Sequence, residues 1–260
     1  MVERERWYQH PVNIVAMQAG VVLLLLLSWE LASGRLVPAF FTSKPSLVLP
    51  TIGRWLQTGF IWEHVLYTTQ ATVLGFLLGA AGGIVVGLLL GLYENAARVL
   101  NPYLTALYSI PKIALAPLFV LWFGLDLAPK VYMAAFIVFF LVFLNAYAGV
   151  TNVDPELLEA LRLMGASRAD ELRYVILPAT ATWIFAGLKT SFPYALHGAV
   201  IGEIISSTRG LGYLTMWAKG TYNMTNMFAA LVTLMIVAVV LNVGLEWLER
   251  RLLRWRVVSR

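Results

Sequence analysis

Residues 65–93 read VLYTTQATVLGFLLGAAGGIVVGLLLGLY, a run with no Asp, Glu, Lys or Arg. About 20 consecutive apolar residues are enough for a helix to cross the hydrocarbon core of a bilayer, so the stretch is predicted to be a membrane span. Within it stand Gly75, Gly79, Gly83, Gly87 and Gly91. A spacing of four keeps these positions on one slowly drifting helix face. With no side chains on that face, a neighbouring helix can approach backbone to backbone. Such packing drives association in lipid, where the tails remove most of the hydrophobic drive. The pattern predicts close helix contact, and channels and transporters both use it.

On either side lie five more candidates, at 13–32, 103–125, 131–150, 181–205 and 228–248. The expected fold is an all-α integral membrane protein with six transmembrane helices. Composition agrees, with 60% hydrophobic and 13% charged residues, against about 45–50% and 25% in soluble domains. One transmembrane domain is expected over 1–260, divided into an anchor helix and outer loop (1–63) and a core (64–260). The first span reads as a retained anchor and not a cleaved signal peptide. Trp29, Glu30 and Arg35 follow its apolar run, where a small-residue cleavage site would have to stand.

There is no cysteine, which excludes disulfides, thiolate zinc sites and a cysteine nucleophile. The net charge is +5, but the basic residues flank apolar runs instead of clustering on a soluble face. Membrane lipid is the expected partner, and nucleic acid is not.

Cytoplasmic segments of membrane proteins carry an excess of Lys and Arg. With the N-terminus inside, Arg4, Arg6, Arg98, Arg162, Arg168, Arg173, Arg250, Arg251, Arg254, Arg256 and Arg260 are cytoplasmic, while Arg35, Lys44, Arg54, Lys130, Arg209 and Lys219 are outside. Lys112 and Lys189 fall within or near spans and are left out. Eleven against six places both termini in the cytoplasm. Residues 33–63 are then external and contain the helix breakers Pro38, Pro45 and Pro50. Val48, Ile52, Trp55, Leu56 and Gly59 fall on one helical face, which fits a short interfacial helix or an ordinary loop. In the third span Pro111 and Pro117 remove helix hydrogen bonds. The freed carbonyls fit either a pathway-lining helix or a purely structural kink.

Residues 151–178 differ from the rest. Asp154, Glu156, Glu159, Arg162, Arg168, Asp170, Glu171 and Arg173 place this loop in water or against a protein. Asp154 suits an N-cap and Pro155 the first helical position. Leu157, Leu158 and Leu161 make an apolar stripe, and Gly165 suits the left-handed residue after a helix end. Ser167, with Asp170 three residues on, fits a capping box opening a second short helix. Leu172, Val175 and Ile176 form its apolar side, and Pro178 is expected to end it. Two readings stand: a helical hairpin that docks on a partner, or an amphipathic loop lying on the membrane.

Glu159-Ala160-Leu161, then Gly165, then Val175-Ile176-Leu177-Pro178 resembles the EAA motif of bacterial binding-protein-dependent ABC importer permeases. That motif is Glu-Ala-Ala, three residues, Gly, nine residues, Ile, one residue, Leu-Pro. Every spacing agrees. Leu161 stands for the second Ala and Val175 for Ile, both apolar replacements. Ser46-Leu47-Val48-Leu49, Ser109-Ile110-Pro111-Lys112, Leu121-Trp122-Phe123-Gly124, Gly202-Glu203-Ile204-Ile205 and Gly210-Leu211-Gly212-Tyr213 resemble the nitrate, sulfonate and taurine branch. That branch also includes permeases for thiamine-precursor pyrimidines, riboflavin and aromatic carboxylates. The resemblance implies a type I importer permease of the bacterial inner membrane, non-catalytic and homodimeric. It further implies two cytoplasmic ATPase subunits that hold ATP and Mg, an external solute-binding protein, and a small anionic solute. Glu159, Ala160, Leu161, Gly165, Ala166, Ser167, Leu177 and Pro178 would then couple the ATPase to the pathway.

The chain has no chemistry of its own in view. Of the lysines only Lys189 precedes a Ser or Thr, and Leu188 stands before it where a phosphate-cradling loop needs Gly. His10, His64 and His197 are isolated, so no metal site is expected. Ser191 and His197 fall on different faces of one helix, which disfavours intramembrane catalysis. Ionisable groups within spans are costly and point to function. His197 is the deepest pathway candidate, with Glu203, Lys112, Asn145, Tyr194 and Lys189 beside it. Lys189 can instead snorkel to the cytoplasmic interface, and Glu203 can reach water or pair with Arg209. Lys112 and Lys189 suit an anion. The competing reading of the whole chain is an ATP-independent transporter or channel.

Overall fold

The computed structural model describes residues 11–252. His10 and the basic residues Arg4, Arg6, Arg254, Arg256 and Arg260 lie outside the described residues. The helices are α1 Pro11–Ala32, α2 Ala39–Thr42, α3 Pro45–Gln57, α4 Phe60–Leu92, α5 Glu94–Ser109, α6 Ala116–Phe123, α7 Leu127–Thr151, α8 Pro155–Leu163, α9 Arg168–Glu171, α10 Leu177–Ile205, α11 Leu211–Gly220 and α12 Met224–Leu252. Among the described residues five helical stretches, containing α1, α4, α7, α10 and α12, are long and apolar enough to cross a membrane, and the bent α5–α6 pair makes a sixth.

The third span departs from the straight helix expected over 103–125. Its helix begins at Glu94 and stops at Ser109, and the chain turns by 89° before α6. Pro111 opens a short 3₁₀ turn, and Pro117 sits in the first turn of α6. Neither proline lies beyond the first turn of an α-helix. Pro111 has no N–H with which to continue α5, while Pro117 occupies positions whose N–H groups lack intrahelical partners in any case.

The bundle is organised around α7, which lies between α4 and α10. The glycine face of α4 meets α7 along its length. A Cβ at Gly75 would stand 2.8 Å from the Val131 carbonyl, at Gly83 2.7 Å from that of Phe139, at Gly87 2.6 Å from the Ala146 Cβ, and at Gly91 2.5 Å from the Val150 Cβ. At Gly79 it would stand 2.8 Å from the Val138 Cβ. On the other side of α7, Gly187, Gly198 and Gly202 of α10 approach Asn145, Ala134 and Lys130, and Gly149 of α7 receives Thr180 and Trp183. Where the three helices meet, Phe76, Ala80, Val138, Val142, Phe192 and Ala195 close the core. Phe76 and Phe192 meet edge to face with ring centroids 4.9 Å apart.

The outer segment does form a helix. Pro45 starts α3, Val48 is buried, and Ile52 and Trp55 are half-buried against the bundle. Pro50 does not break α3, and Leu56 faces outward. Gly59 is left-handed (φ 76°) and starts α4 instead of continuing the α3 face. The central window of α1 buries none of its residues. It is tied at its C-terminal end, where Trp29 packs on Phe228 of α12 at 5.1 Å and the Glu30 carboxylate accepts from the Ser46 N–H and hydroxyl at 3.0 and 2.8 Å.

Gly83→Leu is expected to force α4 and α7 apart. Overpacking of this kind costs about 1–3 kcal/mol, roughly 2–12 °C of melting temperature at this chain length. Gly20→Leu, at a position where a Cβ meets nothing within 4 Å, is expected to leave the transition unmoved. Thermal unfolding of the two variants in detergent measures the difference.

Candidate functional site

Two constructed regions stand at opposite ends of the bundle. α7 runs into the first and α10 runs out of it, because residues 152–176 connect them. Asp154 caps α8 by accepting from the Glu156 N–H at 2.9 Å, and Pro155 takes the first position. α8 closes in a Schellman arrangement. The Ala166 N–H reaches the Leu161 carbonyl at 3.1 Å, and the Gly165 N–H reaches the Arg162 carbonyl at 3.0 Å. Gly165 has φ 81°, where any other residue carries a steric cost. Ser167 and Asp170 form the capping box of α9: the Asp170 carboxylate accepts from the Ser167 N–H at 2.9 Å, and the Ser167 hydroxyl accepts from the Asp170 N–H at 3.3 Å.

One feature of the hairpin is not evident from spacing. Arg162 of α8 and the buried Glu171 of α9 form a two-pronged ion pair, with Nε and Nη2 donating to the carboxylate at 2.7 and 3.1 Å. These bonds hold the Arg162 guanidinium above its ordinary pKa. The two residues are nine apart across a turn, beyond the range of helix-pair rules.

The second half of the hairpin differs from expectation. Pro178 does not end a helix. Helical structure runs without a gap from Arg168 to Ile205 through one π-helical turn at Leu172–Ile176, where the Leu177 N–H reaches back to the Leu172 carbonyl. A proline in a helix collides with the carbonyl four residues back and donates nothing, and the wider turn accommodates both defects. Glu159 and Ala160 are exposed. At the tip Leu163 and Met164 are 90% and 83% exposed, an unusual position for large apolar side chains in a segment rich in charge.

The opposite end is built on the turn Gly210-Leu211-Gly212, which opens α11. The N–H groups at the start of a helix lack intrahelical acceptors. Here three successive groups receive buried side chains from distant helices. The Gly210 N–H donates to His64 Nδ1 at 3.1 Å, the Leu211 N–H to Thr68 Oγ1 at 2.9 Å, and the Gly212 N–H to Glu203 Oε2 at 2.8 Å. Gly210 has φ 105°, and a Cβ there would meet the Glu203 carboxylate oxygens at 2.5 Å. The carboxylate also gains from the positive end of the α11 dipole. The bond from Gly210 requires an unprotonated His64 Nδ1.

Glu203 therefore neither reaches water nor pairs with Arg209. It is 1% exposed, and Arg209 instead contacts Glu63 at 3.2 Å. Lys130, counted among the external cations, is 0% exposed. Its Nζ donates to the Leu125 and Asp126 carbonyls at 2.6 and 2.9 Å, while its stem packs on Gly202. His64, read from sequence as an isolated histidine, and Lys130, read as an external cation, both hold backbone groups here, and Thr68 carries no sequence signal. The Gly-x-Gly at 210–212 was the available signal, since two close glycines mark a place where something must approach the backbone.

The other pathway candidates do not converge. His197 and Tyr194 are exposed and meet edge to face at 5.5 Å, and His197 borders a 60 Å³ cleft toward Asn242 of α12. Asn145 lies against Gly187, its amide donating to the Leu141 carbonyl at 2.8 Å. Lys189 pairs with Glu249 of α12 at 3.4 Å, at the hairpin end. Lys112 lies over the Tyr108 ring at 4.2 Å and donates to the Tyr108 carbonyl. Among the described residues no group of three His, Asp or Glu could hold a metal ion.

Residues 83–255 match the family described as binding-protein-dependent transport system inner membrane component. A Bacillus subtilis aliphatic sulfonates transport permease protein, SsuC, is 31% identical over 90% of this chain and 85% of its own length. The riboflavin transport system permease protein RibX of Chloroflexus aurantiacus is 36% identical over 90% and 88%. The Escherichia coli taurine transport system permease protein TauC is 29% identical over 97% and 94%. Among solved structures, an amino acid ABC transporter covers 76% of this chain, and 97% of its own chain is matched, with TM-score 0.62 at 21% identity. The MetNI methionine ABC transporter covers 76% and is matched over 96%, with TM-score 0.57 at 21% identity. These structural likenesses place the fold among type I importer permeases.

Thr68→Val removes the acceptor of the Leu211 N–H while keeping the side-chain shape. A buried donor left unsatisfied costs about 1–3 kcal/mol, roughly 2–12 °C of melting temperature. Thr68→Ser, which keeps the hydroxyl, is expected to recover most of the loss when the two are compared by thermal unfolding in detergent.

Proposed function

This chain belongs to the family of binding-protein-dependent transport system inner membrane components, and from that premise we propose how it works as a permease subunit of an ABC importer. Two copies form the pathway between them in the bacterial inner membrane, each with both termini in the cytoplasm. Two ATPase subunits bind ATP and Mg and dock on the hairpins, and an external solute-binding protein delivers the solute. The solute on this reading is a small anion such as a sulfonate, taurine or nitrate, and two relatives carry the names of aliphatic sulfonate and taurine transport permeases.

The observation that carries this reading is the hairpin. Its caps, its Schellman turn and the Arg162–Glu171 pair fix its form within the chain, while Leu163 and Met164 project without cover. An apolar tip on an ordered, charged support matches a groove on a partner protein. Glu159, Ala160, Leu161, Gly165, Ala166 and Ser167 present that tip. Leu177 and Pro178 pass its displacement into α10. ATP-driven closure of the ATPase pair would draw the two hairpins together and open the pathway on the far side, with hydrolysis reversing it.

Gly165→Leu forces a side chain onto a left-handed residue, a cost of about 1–2 kcal/mol, and misdirects the tip. Glu159→Arg reverses a charge on the exposed face of α8. Both variants are expected to reach the membrane but to lose at least about tenfold of the ATPase subunit that co-purifies with the native chain in mild detergent, equivalent to about 1.4 kcal/mol of docking. Native chain that purifies alone at full yield, with transport driven by an ion gradient, would replace this reading with an ATP-independent transporter.

A further inference from the structure

At the end of the bundle opposite the hairpin, four large apolar side chains stand in the open. Leu36, Phe40, Phe41 and Tyr222 are 83%, 55%, 61% and 70% exposed. Phe40 meets Phe41 edge to face at 5.2 Å and stacks on Tyr222 at 6.3 Å, and Leu36 lies in the turn that precedes α2. We propose that this patch is a foot seated in the headgroup region of the membrane leaflet on that side. Its rings lie among glycerol and upper acyl groups, and Arg35 and Lys219 meet the phosphates of anionic phospholipids. The importer reading makes that leaflet the external one, but the foot itself does not depend on that reading.

Position, charge and backbone support it independently. Phe41 stands nine residues after the end of α1, and Tyr222 two before the start of α12. Every exposed residue of α12 from Leu231 to Val243 is apolar, as a surface against hydrocarbon requires. The patch therefore continues a lipid-facing surface at the level where it meets water, and rings with cations beside them are typical of that level. Arg35 and Lys219 are exposed and have no ion-pair partner among the described residues. No Asp or Glu stands between Leu31 and Trp62 or between Ile204 and Leu245, and Glu30 is committed to Ser46. Such a surface attracts anionic headgroups. Beneath the rings the chain is pinned by polar bonds. The Trp29 indole donates to the Thr42 carbonyl at 3.1 Å, the Thr42 hydroxyl to Ser33 at 2.9 Å, and the Ser43 and Thr225 hydroxyls share a bond at 2.8 Å. Ser43 and Tyr222, with φ 48° and 55°, are the non-glycine residues with left-handed backbone among the described residues. Tyr222 closes α11 in a Schellman turn, where glycine is usual: its N–H reaches the Lys219 carbonyl at 3.1 Å and the Asn223 N–H reaches that of Ala218 at 2.9 Å. Strain of this kind collects at ligand contacts. Here it turns an aromatic ring outward. Seated this way, the foot steadies α1, whose central window buries none of its residues.

The chain has no cysteine, so a single introduced cysteine reports one place. Leu36→Cys, Phe41→Cys and, as a water-exposed reference on the hairpin, Glu156→Cys are spin-labelled on the full chain in liposomes of phosphatidylcholine and phosphatidylglycerol. Power saturation with oxygen, which dissolves in lipid, and with a water-soluble nickel chelate then reads the depth of each label. The labels at 36 and 41 are expected to be at least about fivefold less open to the chelate than the reference. Omitting phosphatidylglycerol, or adding Arg35→Gln with Lys219→Gln, is expected to raise chelate access at 41 at least about twofold. Tyr222→Gly is expected to raise it as well without lowering the melting temperature, since glycine relieves the left-handed backbone. Labels at 36 and 41 as open to the chelate as the reference overturn the proposal and leave the patch to a protein partner. Shielding that ignores both phosphatidylglycerol and the two cations overturns the phosphate contacts. Co-purification of the ATPase stands apart from these outcomes, because a seated foot on a chain that purifies alone sinks the importer and not the foot.

Discussion

Everything in this structure depends on how closely α7 is approached by its two neighbours. In lipid, helix association must come from packing and polar contacts, because apolar side chains gain little by leaving hydrocarbon tails for one another. Five glycines on α4 and three on α10 let backbones come near enough for dispersion contacts to accumulate along the length of α7. The consequence is mechanical as well as energetic. At 1.5 Å per residue a 25-residue helix is about 37 Å long, and α7 leads directly into the hairpin at one end and carries Asp126 and Lys130 at the other. The three helices are therefore packed backbone to backbone along seams that join those two ends.

The two ends are finished by different means that suit different tasks. The hairpin is ordered by local contacts, none spanning more than nine residues in the chain: caps, one left-handed glycine and one ion pair. Its form is therefore set by contacts within the hairpin itself. The α11 turn is held by His64 and Thr68 across 146 and 143 residues and by Glu203 from α10. That end cannot shift without unsatisfying buried donors, each at a cost of about 1–3 kcal/mol.

This contrast also explains which parts were legible in the sequence. Local rules recovered five of the six spans as continuous helices, and the caps at Asp154 and Ser167 and the turn at Gly165 lie where spacing put them, because each depends on residues within a few positions. The glycine period on α4 implied a close neighbour but could not name α7, since the seam on α7 is made of Ala, Val and backbone with no pattern of its own. The role of Glu203 was out of reach. From its sequence position the nearest cation is Arg209, and only the fold reveals that three N–H groups compete for acceptors at that turn. Pro178 misled for a related reason: proline ends a regular α-helix, but a π-turn lets the chain continue.

Lys130 shows how a packed residue alters a topological inference. Orientation rules count cations that must be held on one side of the membrane in water. Lys130 is instead a structural ligand, its ammonium placed on two carbonyls at the start of α7 and its stem against Gly202. Those carbonyls belong to the turn between α6 and α7, so the buried cation fixes that turn. Removing it from the expected external count of six leaves five against the eleven expected in the cytoplasm.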